Sequence, residues 1–428
     1  MVVPQYSVYS INMTTNRKIA VIGGGAAGMI AAWRAASLGA SVVLLEKNPR
    51  PGIKILISGG GKCNITNGAE IRTMLKQFKP NEGRFLKYAF HEFTNTDVLE
   101  LLHMHGVETY LRENGKVFPT SHNADDVVNA FTSLLEEKQV VMKTQSPVRE
   151  IFRNPDGSFN IKTSKEIIKA DRVIVATGGS SYQKTGTTGD GFRWMEKLGH
   201  TIVPIRPALS PIVLSPAPPS AWQGTPIREC RLSSQSNGRI VSEWTGDVLI
   251  THFGLSGPAA LEVSRDAFLA FEKKEPIEMC VDFFPELTEE QLDDRIITEF
   301  RTNPSRAIST LAEQLVPQRL AEFLLLNAAV PFQKKLNQVS KNERKAMIRF
   351  LKRCPLGTVR EIPLDRGEVT AGGISLNEVE QTTMESNVVK NLYLCGEVLD
   401  IAGPVGGYNL QAAFSTGYVA GTNAARKD

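Results

Sequence analysis

A chain of 428 residues, with 42% hydrophobic and 22% charged side chains, can bury a large core and exceeds one ordinary domain, which excludes a small stapled scaffold and a disordered or fibrous chain. No stretch reaches the roughly 18 consecutive apolar residues of a membrane span, and the +4 formal charge, 49 basic against 45 acidic residues, is spread without long single-sign runs. A soluble protein is therefore expected, and nothing in the charge argues for nucleic acid.

Residues 1–17 read as a polar extension without the basic and then apolar pattern of a secretory signal, and Met13 is an alternative start. Lys18 to Ile22 is a short apolar strand, and the alanine-rich run from Ala26 to Leu38 reads as a helix stopped by Gly39. Ser41 to Leu45 is a second strand, parallel to the first, so the three elements make a βαβ unit. Between strand and helix lies Gly23-Gly24-Gly25-Ala26-Ala27-Gly28, a G-x-G-x-x-G turn. Gly23 permits the tight turn, Gly25 lets the backbone approach a pyrophosphate, and Gly28 lets helix and strand pack closely. Glu46, 18 residues beyond Gly28, ends the second strand where a carboxylate accepts hydrogen bonds from an adenosine ribose. Strand, turn, helix, strand and acid together point to a bound dinucleotide.

The segment from Arg50 to Asn67 is too polar for a strand and too rich in glycine for a helix, so a loop is expected. Its backbone N–H groups would follow the pyrophosphate towards a flavin ring, a reach that a nicotinamide enzyme does not need; the alternative is a plain surface loop. Thr96 to His105 and Asp125 to Glu137 have helical spacing, Val140 to Ala170 reads as a small β-meander, and Asp171 to Thr177 is a buried strand running into Gly178-Gly179.

Seven of the 23 prolines fall between Pro204 and Pro226, which marks a boundary. The expected organisation is a first domain of residues 18–200 and 360–428, interrupted by an inserted domain of residues 201–359. Its part from 201 to 284 reads as β, and its part from 285 to 353 as helical, with capping signals at Thr288/Gln291 and Ser340/Glu343. Asn391 to Cys395 is a further buried strand, and Gly406-Gly407 opens a helical tail. A helix N-terminus there would favour negative charge on a reduced flavin; the alternative is a glycine turn before a packing helix.

The fingerprint, Ser58-Gly-Gly-Gly-Lys-Cys-Asn-Ile-Thr-Asn67, Ala176-Thr-Gly-Gly179, Thr188-Gly-Asp-Gly191, Thr251-His-Phe-Gly-Leu-Ser-Gly-Pro258, Thr370-Ala-Gly-Gly373, and Gly396-Glu397 through Gly406-Gly-Tyr-Asn-Leu-Gln411 together resemble the BaiN/YhiN-like family. That family is also known as aminoacetone-oxidase-like, or as NAD(P)/FAD-dependent oxidoreductases. The resemblance runs from Lys18 nearly to the C-terminus; one departure is Asn387, where lysine is expected.

The resemblance implies an α/β fold: a Rossmann-like FAD-binding domain of glutathione-reductase type, built from both chain ends, with an inserted β-plus-helical domain. It also implies that Gly23, Gly25, Ala26, Ala27, Gly28, Glu46 and Lys47 contact the ADP half and that Val148 meets adenine through its backbone. Lys54, Ser58, Gly59, Gly60, Gly61, Cys63 and Asn64 would line the pyrophosphate and ring, with Ala176, Thr177 and Gly178 under the cofactor. Gly396, Glu397 and Asp400 would hold the ribityl chain, and Gly407, Tyr408, Asn409, Leu410 and Gln411 would approach the pyrimidine end.

His252 is a candidate acid/base or substrate-orienting group; the alternative is that its segment simply caps a helix begun by Pro258. Cys63 has no partner at dithiol spacing, so a dithiol mechanism is not expected. The five cysteines, Cys63, Cys230, Cys280, Cys354 and Cys395, fit reduced thiols in the cytoplasm, and His91, His103, His105 and His122 lack ligand spacing, so no metal is expected. The leading expectation is a cytoplasmic FAD-dependent oxidoreductase acting on a small organic substrate, with NAD(P)H as a transient co-substrate or another electron donor. The alternatives are a flavin-dependent RNA-modifying protein and a redox-sensing flavoprotein without turnover. No nucleic-acid or membrane partner is expected, and no sequence feature marks an oligomeric state.

Overall fold

The computed structural model describes residues 17–426. The polar extension, with Met13 as an alternative start, lies outside the described residues apart from Arg17. The chain divides into two compact units, one running to Ile205 and resuming at Ala371, the other spanning Arg206–Thr370.

The first unit is built on a five-stranded parallel sheet in the order Leu392–Leu394, Arg172–Val175, Lys18–Ile22, Ser41–Leu45, Val141–Lys143. Ile19, Ala20 and Val21 of its central strand are fully buried, as the apolar, partly β-branched run Ile-Ala-Val-Ile requires in the middle of a parallel sheet covered on both faces. Two helices dominate the packing, Ala26–Ser37 after the first strand and Tyr408–Ala425 at the C-terminal end. They approach to backbone contact: a Cβ on Gly417 would lie 2.3 Å from the Ala27 carbonyl oxygen, and one on Gly421 equally close to that of Ala31. Glycines four apart on one helix thus face alanines four apart on the other. The guanidinium of buried Arg172 donates to the carbonyls of Asn423 and Ala424 at 2.9 and 3.0 Å, closing the C-terminal end of the long helix.

Two expectations change here. Val141–Lys143 is not part of a meander but the edge of the parallel sheet; the meander is Val148–Arg153, Phe159–Thr163 and Ile167–Ala170. The glycine-rich segment is not all loop, because Ile53–Ile57, apolar apart from Lys54, forms a short helix. Ser58–Gly61 continues as a 3₁₀ turn with Gly59 and Gly60 left-handed, and Thr66–Asn67 pairs with Lys116–Pro119.

The second unit is a closed six-stranded antiparallel barrel. Helix Pro258–Glu272 falls inside the stretch expected to be β. Helices Glu289–Thr302, Ile308–Leu315, Gln318–Asn327 and Lys341–Lys352 follow. Reciprocal capping boxes start two of them, at Thr288/Gln291 and Ser340/Glu343. The expected boundary at residue 359/360 falls within strand Cys354–Glu361. That strand pairs with both Ile212–Ser215 and Ile277–Asp282 to close the barrel, so the chain leaves this unit only after Thr370. The two passages between units lie in strands Ile202–Ala208 and Val369–Ile374, which pair with each other.

Just before the first passage the buried ring of His200 bonds through Nδ1 to Glu378 at 3.1 Å and through Nε2 to Ser386 at 2.9 Å. Burial holds this imidazole below its ordinary value despite the opposing pull of Glu378. Its folded value lies below its unfolded one, so its stabilising contribution is complete above about pH 6.5 and is lost as pH falls from there towards the folded value. His200→Gln should flatten that part of the pH–melting curve relative to wild type; parallel curves would refute the neutral-imidazole assignment. Gly417→Ala should lower stability by about 1–3 kcal/mol in thermal or denaturant unfolding, because the added methyl meets a backbone carbonyl that cannot swing aside. An unchanged midpoint would show that the helices are free to separate.

Candidate cofactor site

The first strand ends at Ile22, and Gly23 turns the chain with φ 105°, a conformation that suits glycine. A Cβ on Gly23 would sit 2.4 Å from the Ala176 oxygen, and one on Gly28 only 1.8 Å from the Gly23 oxygen, so both are required for packing. Gly25 differs, because a Cβ there meets nothing within 4 Å. It is the N-cap of helix Ala26–Ser37, without a side-chain cap and without an acid in the first turn, and the helical ladder opens with the Met29 N–H donating to the Gly25 oxygen. The N–H groups ahead of Met29 lack intrahelical acceptors and carry the positive end of the helix dipole. An uncapped helix end beside open space fits a diphosphate, so the residues present suit the dinucleotide that the sequence pattern implies.

Glu46 is buried and braces this turn: its two carboxylate oxygens accept the Gly24 and Asn48 N–H groups, each at 2.7 Å. Lone pairs remain on both oxygens for a ribose. Lys47 is engaged elsewhere, at 2.8 Å from Asp190 and 2.7 Å from Thr188. Val148 opens the meander, paired with Thr163. Ala176 is buried against Gly23, while the Thr177 hydroxyl is buried without a partner beneath Gly191, where an added Cβ would lie 2.2 Å from it. What Thr177 offers a ligand is backbone.

The second loop is stitched to the C-terminal helix. With its amide oxygen towards Gly407, Asn64 accepts that N–H at 2.9 Å and donates to Val117 and Thr66. The Asn67 amide donates to the Gly406 oxygen at 3.1 Å, and the Thr66 hydroxyl donates to Gln411 at 2.7 Å. Gly407, with φ 90°, packs so closely on Thr66 that a Cβ would lie 2.3 Å from its carbonyl carbon. Gly60 faces open space, and the Ser58 hydroxyl donates to the Ile55 oxygen at 2.7 Å.

Several side chains expected at the cofactor are committed to the scaffold instead. The Cys63 thiol is fully buried, and burial pushes it up to about 12, so it is neither exposed nor a thiolate. Gln411 is fully buried, and its amide nitrogen donates to Phe93 and Ser415. Asn409 both accepts from and donates to Gly403, at 2.8 Å each, and Leu410 packs against the core. The ring of Tyr408 meets Phe78 edge-on with centroids 6.3 Å apart. Asp400 accepts the Gly372 N–H at 3.0 Å. The C-terminal helix therefore presents its first backbone N–H groups, without a side-chain cap or an acid in its first turn, rather than a row of polar side chains.

Lys54 and Glu397 meet at 2.5 Å, and Gly396 places the latter beside the nucleotide helix, its own hypothetical Cβ 2.8 Å from that of Ala27. Ser181 joins them, a buried residue that sequence reasoning missed. Its signal was its place two residues beyond Gly179 in Ala-Thr-Gly-Gly-Ser-Ser. His252 belongs to the other unit, where its exposed ring lies edge-on to Phe253 at 5.0 Å. Gly257 is the N-cap of the following helix and Pro258 occupies its first turn.

The sequence family described as HI0933-like protein Rossmann domain matches residues 17–423. The 3-dehydro-bile acid delta(4,6)-reductase of Clostridium scindens is 30% identical over 412 residues, 96% of this chain and 99% of that protein. The ribosomal RNA dihydrouridine synthase of Escherichia coli is 29% identical over 401 residues, 93% of this chain and 95% of that protein. Among solved structures, 3-ketosteroid delta1-dehydrogenase from Sterolibacterium denitrificans shares the fold, with a TM-score of 0.52 at 14% identity over 96% of this chain and 100% of that one.

Gly25 offers a direct test of the diphosphate position. Its φ of −83° and ψ of −170° are open to alanine, and the methyl would enter only the empty space. Gly25→Ala should melt as wild type without ligand yet bind FAD at least tenfold more weakly in a fluorescence titration, whereas Gly28→Ala should fail to fold stably. Full FAD affinity in Gly25→Ala would place the diphosphate elsewhere.

Proposed function

Because the chain belongs to the HI0933-like Rossmann family, we propose that it is an FAD-dependent reductase of carbon–carbon double bonds conjugated to a carbonyl group. One observation carries the reaction type. Two relatives matched nearly end to end are named for reducing a dehydro-bile acid and for making dihydrouridine, and each name describes adding two hydrogens across such a bond.

Bound FAD supplies the two-electron transfer. The chain's part is to hold and orient it. The open N–H groups after Gly25 take the diphosphate, Glu46 accepts from the adenosine ribose, and the first turn of the helix from Tyr408 lends its positive end to the pyrimidine edge. The Gly407 N–H is already taken by Asn64. The chain carries one dinucleotide fingerprint, which FAD occupies, so NAD(P)H serves as a transient reductant rather than a resident cofactor. His252 is the candidate to orient the substrate carbonyl or supply a proton.

The preferred substrate is a small organic molecule. The unit from Arg206 to Thr370 carries 21 basic and 21 acidic residues, which gives it no net attraction for a polyanion. A uracil in RNA is the second reading, favoured by the name of the Escherichia coli relative. All five cysteines are free and buried, which supports a cytoplasmic setting, and among the described residues no helix is long and apolar enough to cross a membrane.

The test is anaerobic. FAD-loaded protein is bleached with NADH or NADPH, then offered cyclohexenone, a 4-ene-3-oxo steroid, or uridine-containing RNA, and the yellow absorbance and product mass are followed. Return of colour with a product heavier by two hydrogens supports the proposal, and the responding substrate decides between the two readings. A flavin that bleaches but is reoxidised by none of them would overturn it and leave a redox-sensing flavoprotein.

A further inference from the structure

Glu397 stands in an unusual place for a carboxylate. It directly follows Gly396, whose hypothetical Cβ lies 2.8 Å from that of Ala27, in the first turn of the helix whose N-terminus would take the diphosphate. Its Oε2 also lies 3.8 Å from the Cβ position of Gly178, a left-handed glycine with φ 71°. The side chain is only 19% exposed. A carboxylate in partial burial next to a doubly charged diphosphate is repelled and poorly hydrated, unless something of opposite charge is fixed beside it.

Lys54 is fixed beside it. Its ammonium lies 2.5 Å from Oε2 of Glu397 and donates to the Ser181 hydroxyl at 3.1 Å, while that hydroxyl donates to Oε1 of Glu397 at 3.3 Å. Both carboxylate oxygens are thereby held in place by segments 343 and 216 residues away in sequence. Lys54 is on the short helix Ile53–Ile57, between residues whose apolar character anchors it, with Ile55 almost wholly buried. The ammonium is therefore committed to the carboxylate and is not a mobile cation awaiting phosphate.

We infer that Lys54 is a positioning residue that acts through Glu397: it neutralises and orients that carboxylate so that Glu397 can accept hydrogen bonds from the ribityl hydroxyls of FAD beside the anionic diphosphate. Lys54 does not bind the diphosphate itself. Removing the ammonium takes away the counter-charge of a carboxylate beside the phosphates, so the penalty comes from Glu397 and vanishes when Glu397 is made neutral.

This inference rests on FAD being the cofactor, and the experiment separates the two. Apo-protein of wild type, Lys54→Met, Glu397→Gln and the double variant is titrated with FAD and, as a second probe, with ADP, which has the diphosphate but no ribityl chain. Lys54→Met should weaken FAD binding about ten- to a hundredfold. The double variant should recover to within about tenfold of wild type; ADP, whose diphosphate meets the same carboxylate, should also bind Lys54→Met more weakly and recover in the double variant, whereas Glu397→Gln alone should weaken FAD and change ADP affinity less than threefold. A double variant that binds FAD or ADP no better than Lys54→Met would overturn the inference and make Lys54 a direct phosphate ligand. Should Lys54→Met not fold, the double variant, which leaves no unpaired charge, must still bind FAD near the wild-type level; failure to do so counts against the inference. A wild-type protein that binds ADP but not FAD would instead overturn the cofactor assignment.

Discussion

The close approach of two helices from opposite ends of the chain is the constraint on which the rest depends. Ala27 and Ala31 of the first helix lie under Gly417 and Gly421 of the last, with no room for a side-chain carbon between them. Any larger residue on either face would push the helices apart. With them would move Gly396 from Ala27 and Gly407 from Thr66, two further contacts with no spare space. The nucleotide turn, the second glycine loop and the start of the C-terminal helix are therefore positioned by one packing event, and the cofactor site can exist only once both chain ends have docked.

Polar stitching then fixes the register that packing allows. Asn64, Thr66 and Asn67 reach Gly407, Gln411 and Gly406, so three residues in a row of four engage the head of the last helix. Gln411 and Ser415 both reach the Phe93 carbonyl, which brings in the end of the helix Pro80–Glu92. These bonds are buried, so losing one partner would leave another unsatisfied. That explains why a motif that looks like a ligand-binding signature is in large part a joinery of amides.

Much of this was legible in the sequence, and the exceptions have physical reasons. Lys18 to Leu45 could be read directly, because period, turn glycines and the terminal acid agree within one local unit. The capping boxes at Thr288 and Ser340 are likewise local signals. Val141–Lys143 was misassigned because three residues carry no period, and only the neighbouring strand decides that they pair in parallel. The barrel's closing strand was cut at 360 because its partners lie far back in the chain, at Ile212–Ser215 and Ile277–Asp282. In the site, glycines betrayed the cradle, since a backbone shape demands them. The side chains of Asn409, Gln411 and Cys63 could not be sorted from ligand contacts by type alone, because an amide that binds a cofactor and one that binds a carbonyl look identical in a string of letters.

The paired strands Ile202–Ala208 and Val369–Ile374 bear on how such proteins diversify. Because entrance and exit run side by side, the 165-residue unit between them is an insertion whose two ends meet at one seam. Its replacement by a shorter or longer module would leave the loop-closure entropy of the host almost unchanged, since the seam, not the length of what it encloses, sets the distance to be spanned. Evolution can therefore exchange the insertion while the nucleotide-binding unit keeps its glycines.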